Sequence, residues 1–196
     1  MNDGRIIYTI GHSTQPVERF LALLARHRVE AVADVRSSPY SKHAPQFCKE
    51  ELSVSLKDAD VAYVFLGKEL GARTNDASCY VNNVVSYEKL ARTSLFRSGI
   101  QRVEEGCKRF RIALMCSERD PTECHRTILV SKILNERGAQ IQHILFDGQL
   151  ESHQQTMLRV LDVLGMPRTD MLDTEDELVA KAYLGRAKQI AYRRRG

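Results

Sequence analysis

The sequence predicts a three-layer α/β fold: a mainly parallel sheet of about five strands between helices, with further helices at the C-terminal end. Three observations lead there. Short apolar, β-branched runs alternate with helical segments from residue 6 to about residue 165. A chain of 196 residues with 43% hydrophobic and 28% charged residues has the make-up of an ordinary globular domain with room for one core. Internal repeats and low-complexity tracts, which would point to a solenoid or a disordered chain, are absent. The right-handed crossover rule then fixes most of the geometry.

The elements follow in order. Residues 6–10, IIYTI, form a buried strand ending at Gly11. Pro16 opens a helix with Val17, Phe20, Leu21 and Leu24 on one face. Residues 29–35, VEAVADV, are a second strand, and 39–45, PYSKHAP, a loop. A helix over about 47–59 carries Cys48, Leu52 and Leu56 at four-residue spacing. Residues 61–66 are a third strand, followed by a polar loop over 67–83 and two short helices near 87–93 and 96–108. Residues 110–116, FRIALMC, are a fourth strand. Asp120-Pro121 reads as an N-cap and first-turn proline opening one continuous helix to about Arg137, capped by Gly138. Residues 140–145 are a fifth strand, "DGQ" turns the chain, and a helix spans about 152–164, stopped by Gly165 and Pro167.

Residues 1–165 thus read as one domain and 166–196 as a charged helical extension. Its acids, Asp170, Asp173, Glu175, Asp176 and Glu177, precede its bases, Lys181, Arg186, Lys188, Arg193, Arg194 and Arg195. That order suits the helix dipole, so a solvated terminal helix is favoured over a nucleic-acid arm.

The net charge of +4 permits a phosphate or nucleic-acid partner without requiring one. No apolar run reaches membrane-spanning length, so no membrane partner is expected. The N-terminus does not read as a signal peptide, and five widely spaced cysteines without a C-x-x-C pair point to reduced thiols in the cytoplasm. The oligomeric state is not legible.

In parallel α/β sheets, ligands bind beyond the carboxyl ends of the strands. Gly11, His12 and Ser13 follow the first strand; Asp34, Arg36 and Ser37 end the second. Cys116, Ser117, Glu118 and Arg119 follow the fourth, with Cys124, His125 and Arg126 in the next helix. Asp147 and Gly148 follow the fifth. Each also has a structural explanation. Gly11 can serve a tight turn, His12 and Ser13 a helix cap, and Asp34 a strand-end pair with Arg36; Ser41 and His43 can be plain surface, and Cys116 a core thiol.

Three chemistries fit this rim. Anion binding ranks first: a helix N-terminus with Arg36, Arg119 and Arg126 can clamp a phosphate. A Walker motif and G-x-G-x-x-G are both missing, so a nucleoside triphosphate or dinucleotide in the usual cradle is not expected, and the cofactor stays unknown. Acid–base or thiol chemistry ranks second, with Cys116 or Cys124 as a thiolate beside basic groups. A metal ranks third and is not assigned, although Cys116, Cys124, His125, His12, Asp34 and Glu118 are competent ligand types. The reason is that adjacent Cys124 and His125 side chains point apart on a helix.

The segments TIGHST (9–14), DVRSSPYS (34–41), YVFLGKELGAR (63–73), LMCSERDPTECHR (114–126) and HILFDG (143–148) occur in an order that resembles the Domain of Unknown Function 488 family of bacteria and archaea. The resemblance implies a Rossmann-like α/β fold and no particular activity. One departure is Ala72, where the family often has a second glycine after Gly71.

The expected function is an enzyme, a hydrolase or transferase, acting at this rim on a phosphate-bearing or other anionic substrate, with a small anionic ligand, a nucleotide or a nucleic acid all compatible. His12 or His125 would be general acid or base, Asp34 and Glu118 would orient a histidine or activate water, and Cys116 would be a reserve nucleophile. Gly11, Ser13, Arg36, Ser41 and Arg126 would hold the anion. The alternatives are a non-catalytic nucleic-acid-binding accessory module and a metal-dependent hydrolase.

Overall fold

A computed structural model describes residues 6–194, so Arg195 of the basic terminal run lies outside the described residues. The main sheet has six strands in the order β3-β2-β6-β1-β7-β8. Its parallel strands are β1 (Ile6–Gly11), β2 (Ala31–Asp34), β3 (Ala62–Phe65), β6 (Ile112–Cys116) and β7 (Gln140–Ile144). All five coincide with sequence-predicted strands. A sixth, β8 (Leu150–Ser152), pairs antiparallel with β7. A two-stranded ribbon, β4 (Tyr80–Val81) and β5 (Val84–Val85), lies apart from it, inside and just after the segment predicted as a polar loop. These strands are too short for a period-2 pattern to show in the sequence.

Two apolar cores sandwich the sheet. Helices α1 (Val17–Arg26) and α2 (Lys49–Asp58) cover one face, where Phe20, Leu24, Leu52 and Leu56 meet Tyr8, Ile10, Val32, Ala113 and Met115. The other face carries α3 (Gly67–Leu70), α4 (Tyr87–Arg92), α5 (Ser94–Gly106), α6 (Lys132–Glu136), α7 (His153–Val163) and α8 (Glu175–Ile190). Leu70, Phe96, Ile100, Leu134, Val160 and Leu178 there pack on Ile7, Ala33, Leu114 and Cys116. This is a three-layer α/β arrangement consistent with a Rossmann-like fold. Among the described residues, no helix is long and apolar enough to cross a membrane.

The helix expected from Pro121 to Arg137 is not continuous. A 3-10 turn, Pro121–Glu123, ends at Cys124, which is extended at φ −124° and ψ 139°. A buried π-helix, Arg126–Ser131, follows and passes into α6. The Asp120 cap is real, its carboxylate accepting from the Thr122 N–H at 2.8 Å, but it caps only that first turn.

The C-terminal helix begins in a capping box of Thr174 and Glu177 and has its acids in the first turn, as its charge order predicts. It is not merely solvated: Leu178 and Ala182 are buried in the core. Beyond it, Tyr192 accepts from the Val85 N–H and Arg194 donates to the Asn83 carbonyl, which ties the chain end to the ribbon. Ala72 stands outside the left-handed residues, and Gly71 has φ −68°, so the departure from glycine strains nothing.

Candidate functional site at the β2–β6 crevice

The chain leaves β2 toward the α1–α2 face and leaves its neighbour β6 toward the other face. Adjacent strands whose connections part in this way open a crevice at their carboxyl ends. A cavity of about 350 Å³ occupies it. One wall is the loop after β2, with Arg36, Ser37, Ser38, Tyr40 and Ser41; another holds Cys116, Ser117, Glu118, Glu123 and His125. Tyr87, Ala72 and Arg73 close the side, and Ile190 and Tyr192 from the C-terminal segment form an outer wall.

Side-chain alternation divides the expected site residues between the faces of the sheet. His12 and Asp34 share the face of Tyr8, Ile10 and Val32. Asp34 is fully buried and accepts from Arg36 Nε at 2.9 Å, Arg36 Nη2 at 2.6 Å, the Arg36 backbone N–H at 3.1 Å and the Tyr63 hydroxyl at 2.8 Å. His12 Nε2 accepts from Arg36 Nη1 at 3.0 Å, its Nδ1 donates to the Ser13 carbonyl at 2.6 Å, and its ring stacks on Phe47. Burial and the Arg36 charge pull the His12 pKa down to about 4, so the ring is neutral. Neither His12 nor Asp34 lines the cavity. Together they fix Arg36, which does, and a guanidinium carries more N–H donors than these three side-chain bonds use.

Arg126 is placed differently from a clamp. It is fully buried, donating to the carbonyls of Glu118 at 2.7 Å and Arg119 at 3.5 Å and to Thr9 Oγ1 at 3.4 Å. It braces the loop after β6 from beneath. Gly11 also serves that loop, since a Cβ there would run into the Glu118 carbonyl. Ser13, at φ 50°, donates its N–H to the Ser117 carbonyl at 3.0 Å and lies outside the cavity, whereas Ser41 lines it.

The remaining predicted residues converge. Cys116 Sγ lies 3.7 Å from His125 Nδ1, and Cys124 Sγ lies 4.0 Å from the same nitrogen. A hydrogen bond of 2.9 Å joins Cys124 Sγ to Glu118 Oε2. His125 Nε2 reaches the Val35 carbonyl at 3.0 Å, which leaves Nδ1 facing the sulfurs. Cys124 and His125 do not point apart, because Cys124 is extended and His125 is already helical at φ −62° and ψ −25°.

Electrostatics separates the two thiols. Burial pushes the Cys116 thiol well up. Burial would raise Cys124 as well, but Cys116, Arg126 and His125 outweigh it and hold this thiol well below its ordinary value. Burial raises the Glu118 carboxyl, with Cys124 adding to the shift.

Reading residues after strands misses Tyr63, Arg73, Tyr87 and Tyr192. Tyr63 and Arg73 both sit in the segment YVFLGKELGAR, which the family resemblance already marks. Tyr192 gives no signal in sequence, because it reaches the site only when α8 packs back on the core. The basic terminus is also committed: Arg186 donates to the Thr122 carbonyl at 2.9 Å, and Arg194 to the Thr74 and Asn75 carbonyls at 3.3 and 3.1 Å.

The family described as Domain of unknown function DUF488 matches residues 16–133, a stretch holding both strands of the crevice and every residue lining its cavity except Ile190 and Tyr192. No curated protein and no solved structure matches the chain.

Proposed function

The chain belongs to the DUF488 family, and from the chemistry of its crevice we propose that it is an enzyme acting on a small phosphate-bearing or otherwise anionic substrate. One observation carries this reading: a single cavity of about 350 Å³ is lined both by a wall of donors and by a wall of reactive groups. Arg36, Arg73 and the hydroxyls of Ser37, Ser38 and Ser41 receive the anion, and the reacting bond lies against Cys116, Glu118 and His125. Arg36 is suited to this because its side chain is held by Asp34 and His12 before any ligand arrives. A hydrolase or transferase needs both walls. A binding module needs only the first.

A small ligand is favoured over a nucleic-acid strand. The cavity has the volume of a small-molecule site, and Arg186 and Arg194 are engaged within the chain. The test is titration calorimetry of full-length protein with inorganic phosphate, pyrophosphate and nucleoside monophosphates, followed by product analysis with each ligand that binds. Arg73→Ala, at an exposed position, is expected to weaken the best anion about tenfold through loss of a charge-assisted contact. Absence of binding by every one of these anions defeats the proposal. Binding without turnover, for any ligand that Arg73→Ala weakens, removes the enzyme and leaves the binding site.

A further inference from the structure

We propose that Cys116, Glu118, Cys124 and His125 bind one divalent metal ion, zinc by preference, in the floor of the crevice. Their ligand atoms, two sulfurs, one imidazole nitrogen and one carboxylate oxygen, all lie within 4.8 Å of one another. A tetrahedral ion with metal–sulfur bonds of about 2.3 Å and metal–nitrogen bonds of about 2.0 Å holds its ligand atoms roughly 3.5–3.8 Å apart. Of the two sulfur–nitrogen separations, 3.7 Å falls within that range and 4.0 Å lies just beyond it. The sulfur–oxygen pair is closer, at 2.9 Å, and Glu118, the half-buried member of the set, opens it by a small side-chain rotation.

The surroundings suit a cation. His125 donates its Nε2 proton to the Val35 carbonyl, which orients the Nδ1 lone pair toward the sulfurs as the partners of metal-bound histidines do. The Arg126 backbone N–H donates to Cys124 Sγ at 3.3 Å, the kind of bond that supports a thiolate ligand. Two thiolates and one carboxylate around a divalent ion leave a single negative charge, and the buried Arg126 guanidinium beneath Glu118 balances it. Two thiolates with an imidazole favour zinc over calcium or magnesium, which take oxygen. Cys116 ends a strand, Glu118 lies in the loop after it, and Cys124 and His125 straddle the change from extended to helical backbone, so the irregular backbone after Pro121 has a purpose that a continuous helix could not serve.

Cys116, Glu118 and His125 also line the cavity, while Cys124 is buried behind them. The ion would therefore be reached from the cavity, with Glu118 as the ligand most easily exchanged. This inference does not depend on the anion reading, because metal binding is measured without any anion.

The experiment uses full-length protein, reduced with a phosphine and kept free of chelator. Cobalt(II) is titrated in, and zinc is then added. The expected result is one equivalent of cobalt giving a thiolate charge-transfer band and intense tetrahedral d–d bands, all bleached by zinc. Zinc should also protect two of the five cysteines from alkylation, identified by peptide mass as Cys116 and Cys124. Cys124→Ser and His125→Ala should abolish the bands. Glu118→Gln, at a half-buried position that should tolerate it, should shift the d–d bands and weaken cobalt about tenfold or more. If the first two variants fail to fold, the Glu118→Gln shift and the alkylation pattern decide. Weak octahedral cobalt spectra without a thiolate band, or zinc that leaves both thiols reactive, overturn the site. A Cys116–Cys124 disulfide that persists under phosphine overturns it as well. Phosphate binding that survives in the metal-free protein would leave the anion reading standing even then.

Discussion

His143 Nε2 stands 3.0 Å from His153 Nδ1, and both rings are buried. The pair lies within a longer chain that runs from Arg126 Nε to Thr9 Oγ1, then to His143 Nδ1 at 2.7 Å, and from His153 Nε2 to the Tyr183 hydroxyl at 2.6 Å. An arginine can only donate, and one consistent direction of bonds runs down the chain from it. Thr9 accepts from Arg126 and donates to His143; His143 donates through Nε2 to His153; His153 donates through Nε2 to Tyr183. Both histidines are then neutral, and the chain joins α8 to the buried brace beneath the crevice.

Stability should therefore fall in mild acid. Burial pulls the His153 pKa down to about 4 and holds His143 well below its ordinary value, with the charge of Arg126 adding to the latter. Each ring is neutral when folded and takes a proton on unfolding. Their contribution is complete above pH 6.5 and is lost as pH falls toward the folded pKa. For His153 alone the linkage is about 2 kcal/mol by pH 5. Urea unfolding at pH 7 and pH 5 measures this, and His153→Gln should flatten the difference.

Asp34→Asn should destabilise strongly, by about 3–5 kcal/mol, because it leaves the buried Arg36 guanidinium without its carboxylate. Tyr63→Phe removes one hydrogen bond to the same carboxylate and should cost about 1 kcal/mol. Denaturant midpoints of the two variants should rank in that order. Equal losses would mean that the ion pair is not what holds the β2 end.

Gly11→Ala places a Cβ against the Glu118 carbonyl, backbone that Arg126 holds in place. The expected loss is about 1–3 kcal/mol, as for overpacking elsewhere. Because the loop after β6 must move, cobalt binding at Glu118 and Cys124 should weaken even in protein that still folds. Unchanged cobalt affinity would contradict the proposed arrangement of that loop.

Deletion of residues 191–196 should remove the Tyr192 wall of the cavity and the backbone bonds joining Val85 to Tyr192 and Arg194 to Asn83. A stability loss of about 1–3 kcal/mol is expected from those bonds. Anion affinity should fall while the cobalt spectrum stays unchanged, because the four proposed ligands come from residues 116–125 and the bonds lost on deletion run to Val85 and Asn83. Thermal unfolding and calorimetry on one preparation separate the two effects.

The central parallel strands β1, β2 and β6 were legible because they are buried on both faces and so read as short apolar runs. Residues 112–116, IALMC, show this most plainly. The crevice was legible as a neighbourhood, since residues that follow parallel strands must gather at one edge. The break at Cys124 was not. Asp120-Pro121 announces a helix start, and local signals give no hint that the first turn ends at once. What holds Cys124 extended is tertiary: its sulfur meets Glu118, and the next residue binds the Val35 carbonyl across the sheet.

Alternation of strand and helix, read along the chain alone, determined the α/β class, the parallel sheet and the edge where polar groups collect, because these depend on periodicity and chain direction. Which of those groups share a cavity was decided only by folding. His12 and Asp34 fall on one side of the sheet and Cys116 on the other. Arg126 is drawn beneath the loop it appeared to crown, and Tyr192 arrives from far along the chain. Those outcomes depend on the pleat, on the direction in which each connection leaves its strand, and on contacts between residues distant in sequence, none of which a local pattern encodes.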